Sequence, residues 1–278
     1  MSFACSYGLP TQLPLSLLCL AWFITHLSLQ GVAAASITSI VSAVSYFHKI
    51  RGVPDNSQHF TIRQLLVSLR KKPSKADHRM PITLDMLHKL IDALPNFTSS
   101  TFETTLFSSM FLTAFHFALR VGEITDSPHN LQLQQISTTE TSISLSFQSF
   151  KHAPQHPGTH TLQANSAKYC AVKALLRYIQ IRGDKPGPLY CLHGKPVSRG
   201  LFATTLRFLL KHIGLSHSDF NTHSFRIGAA TEWHQNNVSD LQIRRMGRWR
   251  SDAVLKYIRG NVSHTQASRP TVDNPSTS

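Results

Sequence analysis

The sequence predicts a mainly α-helical protein of two units, the second of which adds a small antiparallel sheet to its helices. Three observations carry this prediction. Apolar residues recur at helical spacing in most long segments, strand-like alternation appears in one region, and a polar, basic, proline-broken stretch at 70–79 divides the chain. With 278 residues and 41% hydrophobic content the chain can bury one large core or two modest ones, and the dividing stretch favours two.

Residues 16–29 and 36–50 each read as a helix, with Gln30-Gly31 between them as the stop. A third helix is predicted over 61–69. The stretch 70–79 reads as a linker whose Arg70, Lys71, Lys72, Lys75 and Arg79 either strap phosphates or form a solvated tether. Thr83 fits the N-cap of a helix reaching Leu94, and a longer apolar helix is predicted from Phe102 to Arg120. From Ser142 to Phe147 the pattern alternates, with Ile143, Leu145 and Phe147 inward and serines outward. Residues 158–162 are expected to return as its partner, which puts Lys151 at a hairpin tip. Helical spacing resumes at 167–181, at 198–212 and in two or three short helices between 224 and 259. The polar residues 263–278 read as a disordered tail, leaving units at 1–77 and 78–262.

Lys plus Arg number 28 against 14 Asp plus Glu, so the chain carries +14 before its 16 histidines are counted. Such a charge attracts a polyanion; nucleic acid is the leading partner and an anionic membrane the weaker one. The four cysteines, Cys5, Cys19, Cys170 and Cys191, have neither zinc spacing nor a CxxC pattern, and no metal or cofactor is expected. Residues 1–48 hold no Asp, Glu, Lys or Arg, and 15–29 is strongly apolar. An export or anchor signal competes there with a buried helix; the absence of a preceding basic residue, and the interruptions by Pro10 and Pro14, favour the helix.

Four short segments carry polar groups suited to chemistry. Arg120 and Glu123 stand three apart, the spacing of an ordinary helical ion pair. His223 and Arg226 also share a helix face, near its N-terminus, where a fork of guanidinium donors and free amides suits phosphate; a buried His beside a surface Arg is the bland reading. Residues 246–259 place the Trp249 indole, the Tyr257 phenol and several cations, Arg248 among them, within fourteen residues, although Trp and Tyr at such positions usually pack in cores. Lys151 alone is an exposed lysine.

As an ordered set, "ALRVGEI", "HSFRIGAAT" and "MGRWRSDAVLKYIR" resemble the tyrosine recombinase (phage integrase) family over roughly 81–259. Gly247-Arg248-Trp249 and Tyr257-Ile258-Arg259 are most similar to the recombinases of DIRS-like, Ngaro-like and Crypton mobile elements. "SITSIVSAVSYFHKIRGVPD" resembles their helical core-binding domain. The resemblance implies the recombinase catalytic fold in 78–262 and a DNA clamp in 1–77. It further implies that Arg120 and Arg226 clamp the scissile phosphate while His223 and Trp249 donate hydrogen bonds. Tyr257 attacks to leave a covalent 3′-phosphotyrosine, Lys151 is the general acid, and Glu123 supports Arg120, all without metal or nucleotide. Double-stranded DNA is the implied partner, with Lys49, Arg51, Arg70, Lys71, Lys72, Lys75, Arg79, Arg244 and Arg245 as contacts. A homotetrameric synapse is implied as well, and the chain is expected to be nuclear or otherwise intracellular.

Two departures stand out. Tyr257 lies eight residues after Trp249 and nine after Arg248, and nine is the usual family spacing, so either side chain is a candidate for the phosphate. No basic residue precedes Lys49, which leaves open whether the clamp is complete. Competing readings are an element-derived DNA-binding protein that no longer cuts, an exported or membrane-attached basic protein, and a topoisomerase.

Overall fold

Ser16 accepts a hydrogen bond from the Cys19 amide at 3.1 Å and so starts helix α1, Leu17–Leu29. The structure is a computed structural model describing residues 3, 6–8, 12–71, 78–147, 158–249, 254–255 and 257–259, and it divides into Met1–Asp77 and His78–Ser278. In the first unit α1 packs with α2, Ala34–Ile50, and α3, Phe60–Lys71. Leu20 and Ile24, Ile37 and Val41, Ile62 and Leu69 form one buried cluster from the three helices. The apolar stretch 15–29 thus buries one face in a bundle, and among the described residues no helix is long and apolar enough to cross a membrane. Arg70 and Lys71, expected in a linker, are instead the last turn of α3, where cations face the free carbonyl end of the helix. Lys72 and Lys75 lie outside the described residues.

The second unit is built around α5, Thr101–His116, which follows the Thr83-capped α4, Leu84–Ala93. Helix α5 is apolar nearly all round because α4, α7 (Ala171–Arg182) and α9 (Ser224–Gln235) surround it. It ends four residues short of the predicted Arg120. The Phe117 and Ala118 amides turn back to the Thr113 and Phe115 carbonyls, and Ala118 takes a left-handed φ of 44°. Apolar, buried Phe117, Ala118 and Leu119 continue the helical pattern in sequence, so nothing there marks the break. Arg120 therefore enters extended, at φ −76° and ψ 148°, as the N-cap of the short helix α6, Val121–Ile124.

Strands β1, Ile136–Thr138, β2, Ser142–Phe147, and β3, Gly158–Gln163, pair antiparallel in that order. Ile143, Leu145 and Phe147 are buried as the alternation requires, and they face Leu162, His160 and Gly158 in register. Strand β1 and the two-residue strands β4, Cys191–Leu192, and β5, Lys195–Pro196, are additions to the predicted hairpin, too short to show alternation. Helix α7 begins at Ala171, four residues later than predicted at 167, after a turn over 166–169. Helices α8, Arg199–His212, and α10, Asp240–Gly247, complete the unit. The hairpin tip with Lys151, and the tail 263–278, lie outside the described residues.

Candidate active site

Helix α9 carries His223 as its N-cap and Arg226 one turn on. Gly228 lets the backbone before α4 lie against this helix, since a Cβ there would stand 1.9 Å from the Ile82 carbonyl oxygen. The Met80 and Ile82 amides donate to the Asp219 and Ser224 carbonyls at 2.7 and 3.0 Å, which brings Arg79 to the neighbourhood of His223.

Arg226 is buried, and its two terminal nitrogens donate to the Ala118 and Gly247 carbonyls. Its guanidinium thus spans the α5–α6 turn and the end of α10. The Arg226 Cζ lies 4.0 Å from the centroid of Trp249 and 5.8 Å from that of Tyr257. The Trp249 and Tyr257 rings are 5.2 Å apart, and His223 stacks 6.4 Å from Tyr257 at 23°. Gly247 is required here, because a Cβ would fall 1.6 Å from the Trp249 ring. The buried Trp249 Nε1 has no hydrogen-bond partner among the described residues. Ala230, Ile243 and Val254 pack beneath Trp249 and Tyr257.

Arg120 completes the group, 28% exposed and bound to Glu123 through Nη1–Oε1 at 3.0 Å. Glu123 also accepts from the Arg120 amide at 2.8 Å and from Arg248 Nη2 at 2.7 Å. Burial alone would raise the Glu123 carboxyl, but the Arg248 and Arg120 charges and the Arg120 amide outweigh it and hold it ionised. Arg248 therefore points inward. It donates to the Phe117 carbonyl at 3.2 Å and lies 4.0 Å over Phe147, while Trp249 stands beside Arg226 and Tyr257.

Burial, then the charges of Arg79, Arg226, Arg199 and Arg120, push the His223 imidazole down to about 4, so it is neutral near neutrality. Burial together with Arg120 and Arg248 depresses the Arg226 guanidinium, which starts so high that it remains a cation. On β3, His160 meets Phe147 edge-on at 5.4 Å and is pushed to about 4 by burial and Arg248. His160 and Arg199 were not singled out from the sequence, since neither sits in a recognisable motif.

Among the other predicted contacts, Arg244 and Arg245 occupy the last turn of α10, and their carbonyls receive the Trp249 and Arg248 amides at 2.9 and 3.1 Å. In the first unit Lys49 and Arg70 line a cavity of about 530 Å³ together with Arg63, a residue that no sequence motif marks. Arg51 covers the Phe47 ring at 4.6 Å. Among the described residues no group of His, Cys, Asp and Glu is placed to hold a metal ion.

No protein-family model and no curated protein matches the sequence. Solved structures do match. The integrase of transposon Tn1549, with circular intermediate DNA, is 12% identical at a TM-score of 0.58, covering 90% of this chain and 82% of that one. A lambda integrase dimer on a COC′ core site is 18% identical at 0.58, over 96% and 71% of the two chains. The XerH recombinase bound to its difH substrate is 13% identical at 0.57, over 87% and 67%. The chain has the tyrosine recombinase fold. At these identities the likeness establishes the fold alone.

Proposed function

We propose that this chain is a tyrosine recombinase, an enzyme that breaks and rejoins DNA through Tyr257, of the type carried by DIRS-like, Ngaro-like and Crypton elements. The observation that carries the reading is the convergence of Arg226, His223, Trp249 and Tyr257, with Arg120 tied to the same corner through Glu123 and Arg248. Residues 1–77 act as a core-binding clamp, with Lys49, Arg51, Arg70 and Lys71 among its phosphate contacts, and 78–262 as the catalytic domain. The partner is double-stranded DNA, held in a tetrameric synapse.

The Tyr257 oxygen gives up its proton to solvent and attacks phosphorus, the bond to the 5′ oxygen breaks, and a 3′-phosphotyrosine forms. Arg120 and Arg226 stabilise the charge that builds on the non-bridging oxygens. The Trp249 indole and the single N–H of neutral His223 donate to the same oxygens, and Lys151 gives the departing 5′ oxygen its proton. Attack by another 5′-hydroxyl reverses the step on a new strand, so the phosphodiester energy is kept and no nucleotide is consumed.

A pool of nicked duplexes with randomised flanks, incubated at low salt with EDTA, tests this. Diffusion of the short fragment strands the enzyme on DNA. The reading predicts a denaturant-resistant protein–DNA band that Tyr257→Phe abolishes; salt-sensitive binding without any such band would leave only a DNA-binding protein.

A further inference from the structure

Around the one carboxylate of Glu123 stand three guanidiniums, those of Arg248, Arg120 and Arg226. His223 and His160 are neutral and add nothing to that balance. Which cation Glu123 compensates therefore decides how much positive charge faces a phosphate. Glu123 Oε2 accepts Arg248 at 2.7 Å, the shorter of its two guanidinium contacts, and both side chains are 4% exposed. Arg120 holds the other oxygen, stays 28% exposed, and reaches the Arg248 carbonyl at 3.4 Å.

Arg248 is held in this role at a conformational cost. It closes α10 in the left-handed region at φ 56°, where side chains other than glycine are uncommon. Three contacts oppose that cost: the Phe117 carbonyl, the Glu123 carboxylate, and the Phe147 face on the last residue of β2. A residue serving only to end the helix would need none of these, and glycine would end it with less strain.

We infer that Arg248 is a positioning residue that shares the Glu123 carboxylate and thereby keeps Arg120 from being neutralised, so that Arg120 retains charge for the scissile phosphate. The inference rests on the recombinase reading above. Replacing Arg248 with an apolar side chain would give Glu123 to Arg120 alone and remove one unit of positive charge from the site.

Single-turnover cleavage of the nicked duplex pool, gel-shift affinity and melting temperature are measured for the native protein, Arg248→Met, Arg248→Lys and the double variant Arg248→Met with Glu123→Gln. Arg248→Met is expected to slow adduct formation by about 100-fold, the scale of one lost transition-state contact, with DNA affinity within about threefold. The double variant should recover about tenfold of that rate, because removing the carboxylate frees Arg120 again. A merely structural role predicts the reverse, since a second core substitution adds damage. Should Arg248→Met fail to fold, Arg248→Lys decides: it loses the stack on Phe147 but keeps the charge beside Glu123, and should stay within about tenfold of native. A double variant no faster than Arg248→Met, Arg248→Met cleaving at the native rate, or Arg248→Lys falling about 100-fold would overturn the inference. Absence of any adduct from the native protein defeats the recombinase reading itself, a result separate from these.

Discussion

The indole of Trp249 covers the guanidinium of Arg226, whose central carbon lies 4.0 Å from the ring centroid. That contact, with the two carbonyls bound by Arg226, fixes the plane of a buried cation beside the Tyr257 ring. A charge immobilised in this way needs no reorganisation when negative charge develops next to it.

The Trp249 Nε1 is buried without a hydrogen-bond partner among the described residues, as a donor reserved for a ligand oxygen would be. Trp249→Phe keeps a ring over Arg226 but removes the donor, and is expected to lower cleavage by about 100-fold with little change in melting temperature. Cleavage within about threefold of native would reduce Trp249 to a packing group.

Two glycines separate a tight site from an open one. Gly247→Ala forces a Cβ to within 1.6 Å of the Trp249 ring and should destabilise the protein by at least about 2 kcal/mol. Gly200→Ala in α8 meets nothing nearer than 3.8 Å and should stabilise by about 0.5 kcal/mol. Urea unfolding of both reads the contrast directly; equal effects would mean that the ring does not lie across Gly247.

Glu123→Ala leaves Arg248, 4% exposed, as a buried cation without its carboxylate. A loss of about 3 kcal/mol in urea unfolding is expected. A loss below about 1 kcal/mol would show that Arg248 finds water or another partner.

His116, His160 and His223 are each pushed down to about 4, by burial first, with help from His88 at His116, Arg248 at His160 and Arg79 at His223. In the unfolded chain each takes up a proton below its ordinary 6.5, whereas in the folded protein each stays neutral to about 4. The unfolded state therefore binds more protons in that window, and stability present above 6.5 is lost as pH falls towards 4. Urea midpoints should drop between about pH 7 and about pH 5, and His116→Gln should flatten the slope. An unchanged slope in the variant would contradict this for His116.

Much of this arrangement is legible in the chain because periodicity and burial agree. Thr83 caps the helix it announces, and the Ile143, Leu145 and Phe147 alternation reaches the core as read. Arg120 escaped correct placement because the left-handed turn at Ala118 is made by buried apolar residues, which continue the helical pattern while breaking the helix. The inward turn of Arg248 was equally hidden: its partners Phe117, Glu123 and Phe147 are more than a hundred positions away. Spacing along the chain to Tyr257 therefore could not decide between Arg248 and Trp249. His160 and Arg199 enter the site's electrostatics only through strand register and helix packing, which no local motif records.

Trypsin digestion of the stranded protein–DNA adduct, followed by mass analysis of the nucleotide-bearing peptide, addresses the phenolic oxygen itself. A nucleotide 3′-phosphate is expected on Tyr257, in the peptide Tyr257-Ile258-Arg259 that follows cleavage after Lys256. A nucleotide found on any other side chain, with the Tyr257 peptide unmodified, would contradict it.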